Sequence, residues 1–187
     1  MGGGRLPGCC TRLFFRVAPG ELDRSEEGRK KAIARWEKLD VAQAMVDMRP
    51  LVSRLFGSPC CNGQLGALGI CAGGELAFLA ATRLAAGAVA AFHGNRIDRH
   101  LGEVHRVAGY VSLHYGASDS LIPLKEVDAV RDALKNNPRA DIQVYPGADH
   151  GFSFQGRPSY HELAATRSRA RALAVLSTLK ASAEGTC

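Results

Sequence analysis

Leu65-Gly66-Ala67-Leu68-Gly69-Ile70-Cys71-Ala72-Gly73-Gly74-Glu75-Leu76-Ala77-Phe78 is the stretch on which the fold turns. An apolar run leads to one reactive side chain, then to two glycines, then to an alanine- and leucine-rich helical pattern. The order reads as strand, sharp turn, helix. In the form G-x-C-x-G it is a nucleophile elbow with cysteine where serine is commoner. A nucleophile on a tight, strained turn needs neighbours without Cβ, so that strand and helix approach closely and the side chain projects clear. Cys71 then sits at the N-terminus of the following helix, where unpaired N–H groups and the dipole favour a thiolate. The Ala72 N–H is placed to face a developing oxyanion. The competing reading is a buried, inert cysteine in a glycine-rich turn.

Before this stretch the pattern is mostly helical. Residues 1–12 read as a disordered leader, and Leu13 to Val17 as a short apolar run ended by Pro19-Gly20. Ser25 to Lys38 is charged and helical. Asp40 followed by Gln43 predicts a capping-box start, with Val41, Met45 and Met48 on one face and Pro50 breaking or kinking the helix before Gly57. After the elbow helix, which is expected to run to about Leu84, Ala88 to His93 reads as a fully buried parallel strand. Residues 94–107 read as a polar loop and Ala108 to Tyr115 as a strand. A helix opens with Pro123 at its first position, Ile142 to Tyr145 forms a short strand, and a long amphipathic helix follows Arg157-Pro158 through Lys180. Alternating strands and helices after residue 60 predict an α/β protein with a mainly parallel sheet. The expected organisation is a single domain over 13–180 with a tail at 181–187.

Composition narrows the class. A chain of 187 residues with 46% hydrophobic and 22% charged residues is ordinary for one soluble globular domain. The net charge of +6 collects partly in Arg167, Arg169 and Arg171. No basic motif is interleaved with aromatics, which argues against nucleic acid as a partner. The cysteines Cys9, Cys10, Cys60, Cys61, Cys71 and Cys187 lack zinc-ligand spacing and any C-x-x-C. A reducing, cytoplasmic setting is expected. No secretory h-region opens the chain, and the uncharged run from Leu55 to Gly74 is too broken to span a membrane. No metal or cofactor is expected, because no spacing groups His100, His105 or His161 with carboxylates.

Two further loops complete a catalytic set. His114-Tyr115-Gly116-Ala117-Ser118-Asp119 puts an acid just beyond a strand, and Tyr145-Pro146-Gly147-Ala148-Asp149-His150-Gly151-Phe152 puts a histidine after the next. The order Cys71, Asp119, His150 is nucleophile, acid, base. In a parallel sheet all three fall at the carboxyl ends of strands, where sites in such folds collect. These segments, with Gly69 to Gly74, Phe92-His93-Gly94 and the helix from Ala164 to Leu173, resemble the dienelactone hydrolase (carboxymethylenebutenolidase) family. The resemblance runs from about Phe14 to Leu179. It implies an α/β-hydrolase fold in three layers, with Cys71 as nucleophile, His150 as general base and Asp119 as its orienter. It also implies hydrolysis of a small ester or lactone. Arginines bind the substrate carboxylate in dienelactone-opening relatives, so Arg96, Arg99 and Arg157 are candidate counterparts. His93 is a candidate for the pocket lining.

The departure lies at the front. Family members begin with several strands, whereas most of the 70 residues before Cys71 read as helix. The chain therefore resembles an N-terminally truncated member lacking the first strands, with an open sheet edge. Nothing matches the second oxyanion donor, or the early glutamate that contacts the resting cysteine in the family. Two alternatives follow: an impaired or inactive homologue that acts by binding a partner, and a thiol-based redox protein using Cys71.

Overall fold

The computed structural model describes residues 14, 16–23, 25–59 and 61–179. The expected leader and tail, with Cys9, Cys10, Cys60 and Cys187, lie outside the described residues. Four parallel strands form the sheet: β1 (Gly66–Ile70), β2 (Ala88–Phe92), β3 (Tyr110–Gly116) and β4 (Ala140–Tyr145), in that spatial order. The register runs Ile70 beside Phe92 beside His114 beside Gln143. Strand pairing therefore brings the carboxyl ends of neighbouring strands level with one another.

Side-chain alternation sorts the strands into two faces. Val89, Ala91, Val111, Leu113 and Tyr115 pack with Phe78 of helix α3 (Ala72–Arg83) and with Val127 and Val130 of α4 (Leu124–Leu134). Ala90, Phe92 and Tyr145 face the other way, onto Ala164 and Ala172 of α5 (Glu162–Ser177). Helices on both faces make this a three-layer α/β arrangement, and β2 is buried along its whole length. At the edge of the sheet, β1 exposes Leu68 by 55%.

Helices α1 (Glu26–Glu37) and α2 (Val41–Phe56) precede the sheet. The Asp40 side chain accepts from the Gln43 N–H at 2.9 Å, so the N-cap forms, but the Gln43 amide donates to Asp47 Oδ1 at 2.9 Å and does not close the box back onto Asp40. Pro50 does not end α2, which continues to Phe56. Proline removes the bond to the carbonyl of Val46, but both residues are exposed, so water reaches that oxygen. α2 packs Met45 against Leu76 and Leu79 of α3.

Two sequence expectations need correction. The stretch read as a polar loop, 94–107, holds 3-10 turns over Ile97–Arg106 that meet at His100. Ile97, Leu101 and Val104 recur on one side and pack against the α3–α4 core, a period hidden by the polar residues between them. Pro123 caps α4 from outside, with extended ψ, one residue before the predicted position. No helix among the described residues is long and apolar enough to cross a membrane.

Candidate active site

Backbone geometry at Cys71 is that of a strained elbow, with φ 55 and ψ −120 on a residue carrying a Cβ. Two glycines permit it. A Cβ on Gly69 would lie 1.9 Å from the Gly73 carbonyl oxygen, and one on Gly74 would lie 2.5 Å from Gly94 Cα. Strand, turn and helix thus come into backbone contact, as the opening stretch requires. Cys71 is half-buried, and as N-cap of α3 it stands beside the first turn of that helix, which Ala72 opens.

The loops after β3 and β4 meet this elbow. His150 Nε2 lies 3.3 Å from Cys71 Sγ, and His150 Nδ1 lies 3.0 Å from Asp119 Oδ2. The three candidate residues chosen from sequence are therefore in contact, in the order sulfur, imidazole, carboxylate. Asp119 has no exposed side-chain surface. Its Oδ1 also accepts from the N–H groups of Leu121 and Ile122, at 2.8 and 3.0 Å, which fixes the carboxylate against its own loop. That hydrogen-bond pattern leaves Nδ1–H of His150 as the donor to Asp119 and Nε2 toward the thiol. Burial alone would lower the His150 pKa. Its hydrogen bonds to Asp119 and Cys71, with their charges, more than offset this and raise it to about 9.

Sequence reasoning passed over Asp149 as a side chain with a task. Its Oδ1 accepts from Ser120 N–H at 2.9 Å and from His150 N–H at 2.6 Å. One carboxylate thus ties the histidine loop to the aspartate loop, and those backbone bonds hold its pKa below the usual carboxylate range. The signal was available in its position next to His150, but a turn aspartate carries no mark of which loop it will bridge.

The residues expected to meet substrate are dispersed. His93 is fully buried, so it forms a wall behind the imidazole rather than a rim. Its ring meets His150 edge-on at 4.5 Å between centroids, and its Nε2 lies 3.3 Å from Ser153 Oγ. Burial, then the nearby His150 charge, pushes its pKa down to about 3. Arg157 is exposed and lies over the Phe154 ring at 4.3 Å, in the loop that follows His150. Arg96 stacks on Trp36 at 3.8 Å and borders a separate cavity of about 130 Å³ with Asp98, Arg99 and Glu126. Ligand atoms of Cys71, His93 and His150 lie within 4.8 Å of one another, a spacing that can hold a metal ion.

The chain resembles known proteins in sequence and in fold. The sequence profile of the dienelactone hydrolase family matches residues 10–180. The carboxymethylenebutenolidase of Pseudomonas putida is 28% identical over 173 residues, covering 91% of this chain and 73% of its own. A Klebsiella pneumoniae structure assigned as a dienelactone hydrolase is 29% identical, with a TM-score of 0.74, and covers 88% of this chain and 72% of its own. Esterase 2 of Thermogutta terrifontis shares the fold at 20% identity, with a TM-score of 0.60 over 77% of this chain and 66% of its own.

Proposed function

The chain belongs to the dienelactone hydrolase family of hydrolases, and from that premise we propose that it hydrolyses small carboxylic esters or lactones through a Cys71–His150–Asp119 triad. The contact chain from Cys71 Sγ through His150 to Asp119 is the observation that carries the reading. His150 takes the thiol proton and Sγ attacks the carbonyl carbon, so that charge develops on oxygen opposite the Ala72 N–H. His150 then protonates the departing alkoxide, leaving a thioester. A water, deprotonated by the same imidazole, attacks that thioester; the acid leaves, and the proton returns to sulfur. Asp119 keeps the ring in one orientation and supports its charge, without itself taking the proton.

The raised His150 pKa supports this role, because it marks a site that favours the protonated ring next to sulfur. In a lactone the alcohol stays tethered after ring opening, so the same steps release a single hydroxy or oxo acid. Arg157 is the arginine best placed for a substrate carboxylate, since it lies in the His150 loop and is exposed; Arg96 is engaged with Trp36.

Turnover of p-nitrophenyl acetate tests the reading. Wild-type protein is expected to show a burst followed by steady hydrolysis. Cys71→Ala and His150→Ala should each fall to the background rate. Equal turnover in wild type and Cys71→Ala would remove the thiol from the mechanism.

A further inference from the structure

The pocket wall holds more nitrogen than hydrolysis needs. His93 takes no part in the proposed proton relay, yet it is fully buried against His150. Its Nε2 faces Ser153 Oγ at 3.3 Å, and its Nδ1 has no hydrogen-bond partner. A neutral imidazole that donates Nε2–H to a hydroxyl keeps a free lone pair on Nδ1. His150 shows the mirror arrangement: Nδ1 is committed to Asp119 and Nε2 points to Cys71. Each ring therefore has one nitrogen anchored by an outer partner and the other available. That is the organisation found around zinc-ligating histidines, where the second nitrogen donates to a carboxylate, hydroxyl or carbonyl that fixes the ring.

We propose that Cys71, His93 and His150 form a binding site for a thiophilic divalent cation of the zinc type, one that holds the enzyme in a reversible, inactive state. The ligand atoms come from three different loops and lie within 4.8 Å of one another. A tetrahedral zinc with Zn–S of about 2.3 Å and Zn–N of about 2.0 Å separates its sulfur and nitrogen ligands by about 3.5 Å. The Cys71–His150 distance of 3.3 Å already meets that spacing. The His93 nitrogen lies within 4.8 Å of the other two ligand atoms and must move closer as the metal binds. One thiolate and two imidazoles suit zinc and cobalt(II), and suit magnesium or calcium poorly. The half-buried Cys71 leaves the fourth position open toward solvent for water.

The chemistry balances simply. The thiol–imidazole pair of Cys71 and His150 carries one proton between them, and that proton passes to solvent as the metal binds. Coordination then occupies both the nucleophile sulfur and the base nitrogen, so ester hydrolysis stops until a chelator removes the ion. Metal binding depends on three ligand atoms and not on turnover, so the cobalt titration reads the site apart from the hydrolase reading; only the inactivation rests on that reading.

Cobalt(II) titration of the full-length, reduced chain tests it by absorption. Expected is a thiolate-to-cobalt band in the near ultraviolet that saturates at one equivalent and is displaced by zinc. Cys71→Ala should abolish the band, because the five other cysteines are not the ligands. Ser153→Ala keeps all three ligands but frees the His93 ring, and should weaken cobalt binding by about 10- to 100-fold. His93→Phe should weaken it at least as much, with folding checked by circular dichroism; if that variant misfolds, Ser153→Ala decides. A band that persists in Cys71→Ala would overturn the proposal, as would wild-type affinity in Ser153→Ala or in folded His93→Phe. In the wild type, zinc should also arrest p-nitrophenyl acetate turnover, and a chelator should restore it.

Discussion

His150, on a loop, and His114, within β3, each lie between two hydrogen-bonding partners, yet their surroundings drive them in opposite directions. His114 sits within β3, fully buried, with Nε2 3.0 Å from Ser112 Oγ and Nδ1 3.1 Å from the Tyr145 hydroxyl. Its partners are neutral. Desolvation therefore dominates, and its pKa drops to about 4. His150 stands on a loop beyond β4, partly open, with a carboxylate on one side and a thiol on the other. There the partners outweigh burial, and its pKa rises to about 9. A serine–histidine pair is thus no sign of a nucleophile when it is sealed inside a sheet. What separates the two is a charge behind the ring and an opening in front of it.

The largest expected effect comes from breaking one histidine and not the other. His150→Gln should lower kcat/KM for p-nitrophenyl acetate by about 10⁴-fold, the scale at which a triad loses its base. His114→Gln should leave kcat/KM within about threefold, while thermal unfolding shifts downward. A comparable loss of activity in both variants would erase the distinction drawn between them.

Acid and alkali separate the pair next. Folding raises the His150 pKa above the ordinary value of 6.5, so the stability it contributes is fully present below 6.5 and is lost as pH rises through about 9. Folding depresses the His114 pKa, so its contribution is present above 6.5 and is lost as pH falls through about 4. Urea unfolding from pH 4 to 10 should therefore show two windows. His150→Gln should flatten the alkaline slope, an effect of up to about 3 kcal/mol. His114→Gln should reduce the acid slope. His93, with its pKa pushed to about 3, adds to the acid window, so that slope should shrink and not vanish. If His150→Gln left the alkaline limb unchanged, the raised pKa would be the statement at fault.

Sequence alone showed the parts of this contrast unevenly. Cys71, Asp119 and His150 were legible because an elbow, two strand ends and their order are local signals, and strand pairing then brings distant loops level. Asp40 marked a helix start for the same reason: a cap is written within four residues. The turns at Ile97–Arg106 were not legible, because polar residues masked a three-residue apolar set whose partners lie on α3 and α4. Arg96 was a candidate for the substrate carboxylate only through the family resemblance, and the structure stacks it on Trp36, 60 residues earlier in the chain. His93 and His114 looked alike in sequence, each near a strand end. Only the register and the loop after β4 show that His93 touches His150 while His114 touches Tyr145.

The smallest effect expected is also the most selective. Ser112 is fully buried, and its hydroxyl is the partner of His114 Nε2. Ser112→Ala removes that partner without adding volume, so the imidazole keeps its place but leaves one nitrogen unsatisfied in a fully buried layer. Such a loss costs about 1–3 kcal/mol, because the group gives up a bond in the folded state that water still provides in the unfolded one. Chemical denaturation should register it as a lower midpoint with an unchanged slope. Turnover should stay at the wild-type level, since nothing between Cys71 and Asp119 passes through Ser112. Were hydrolysis to fall with stability here, β3 would be transmitting strain to the His150 loop. The two histidines would then be one coupled system, through the Tyr145 hydroxyl that ends β4 and begins that loop.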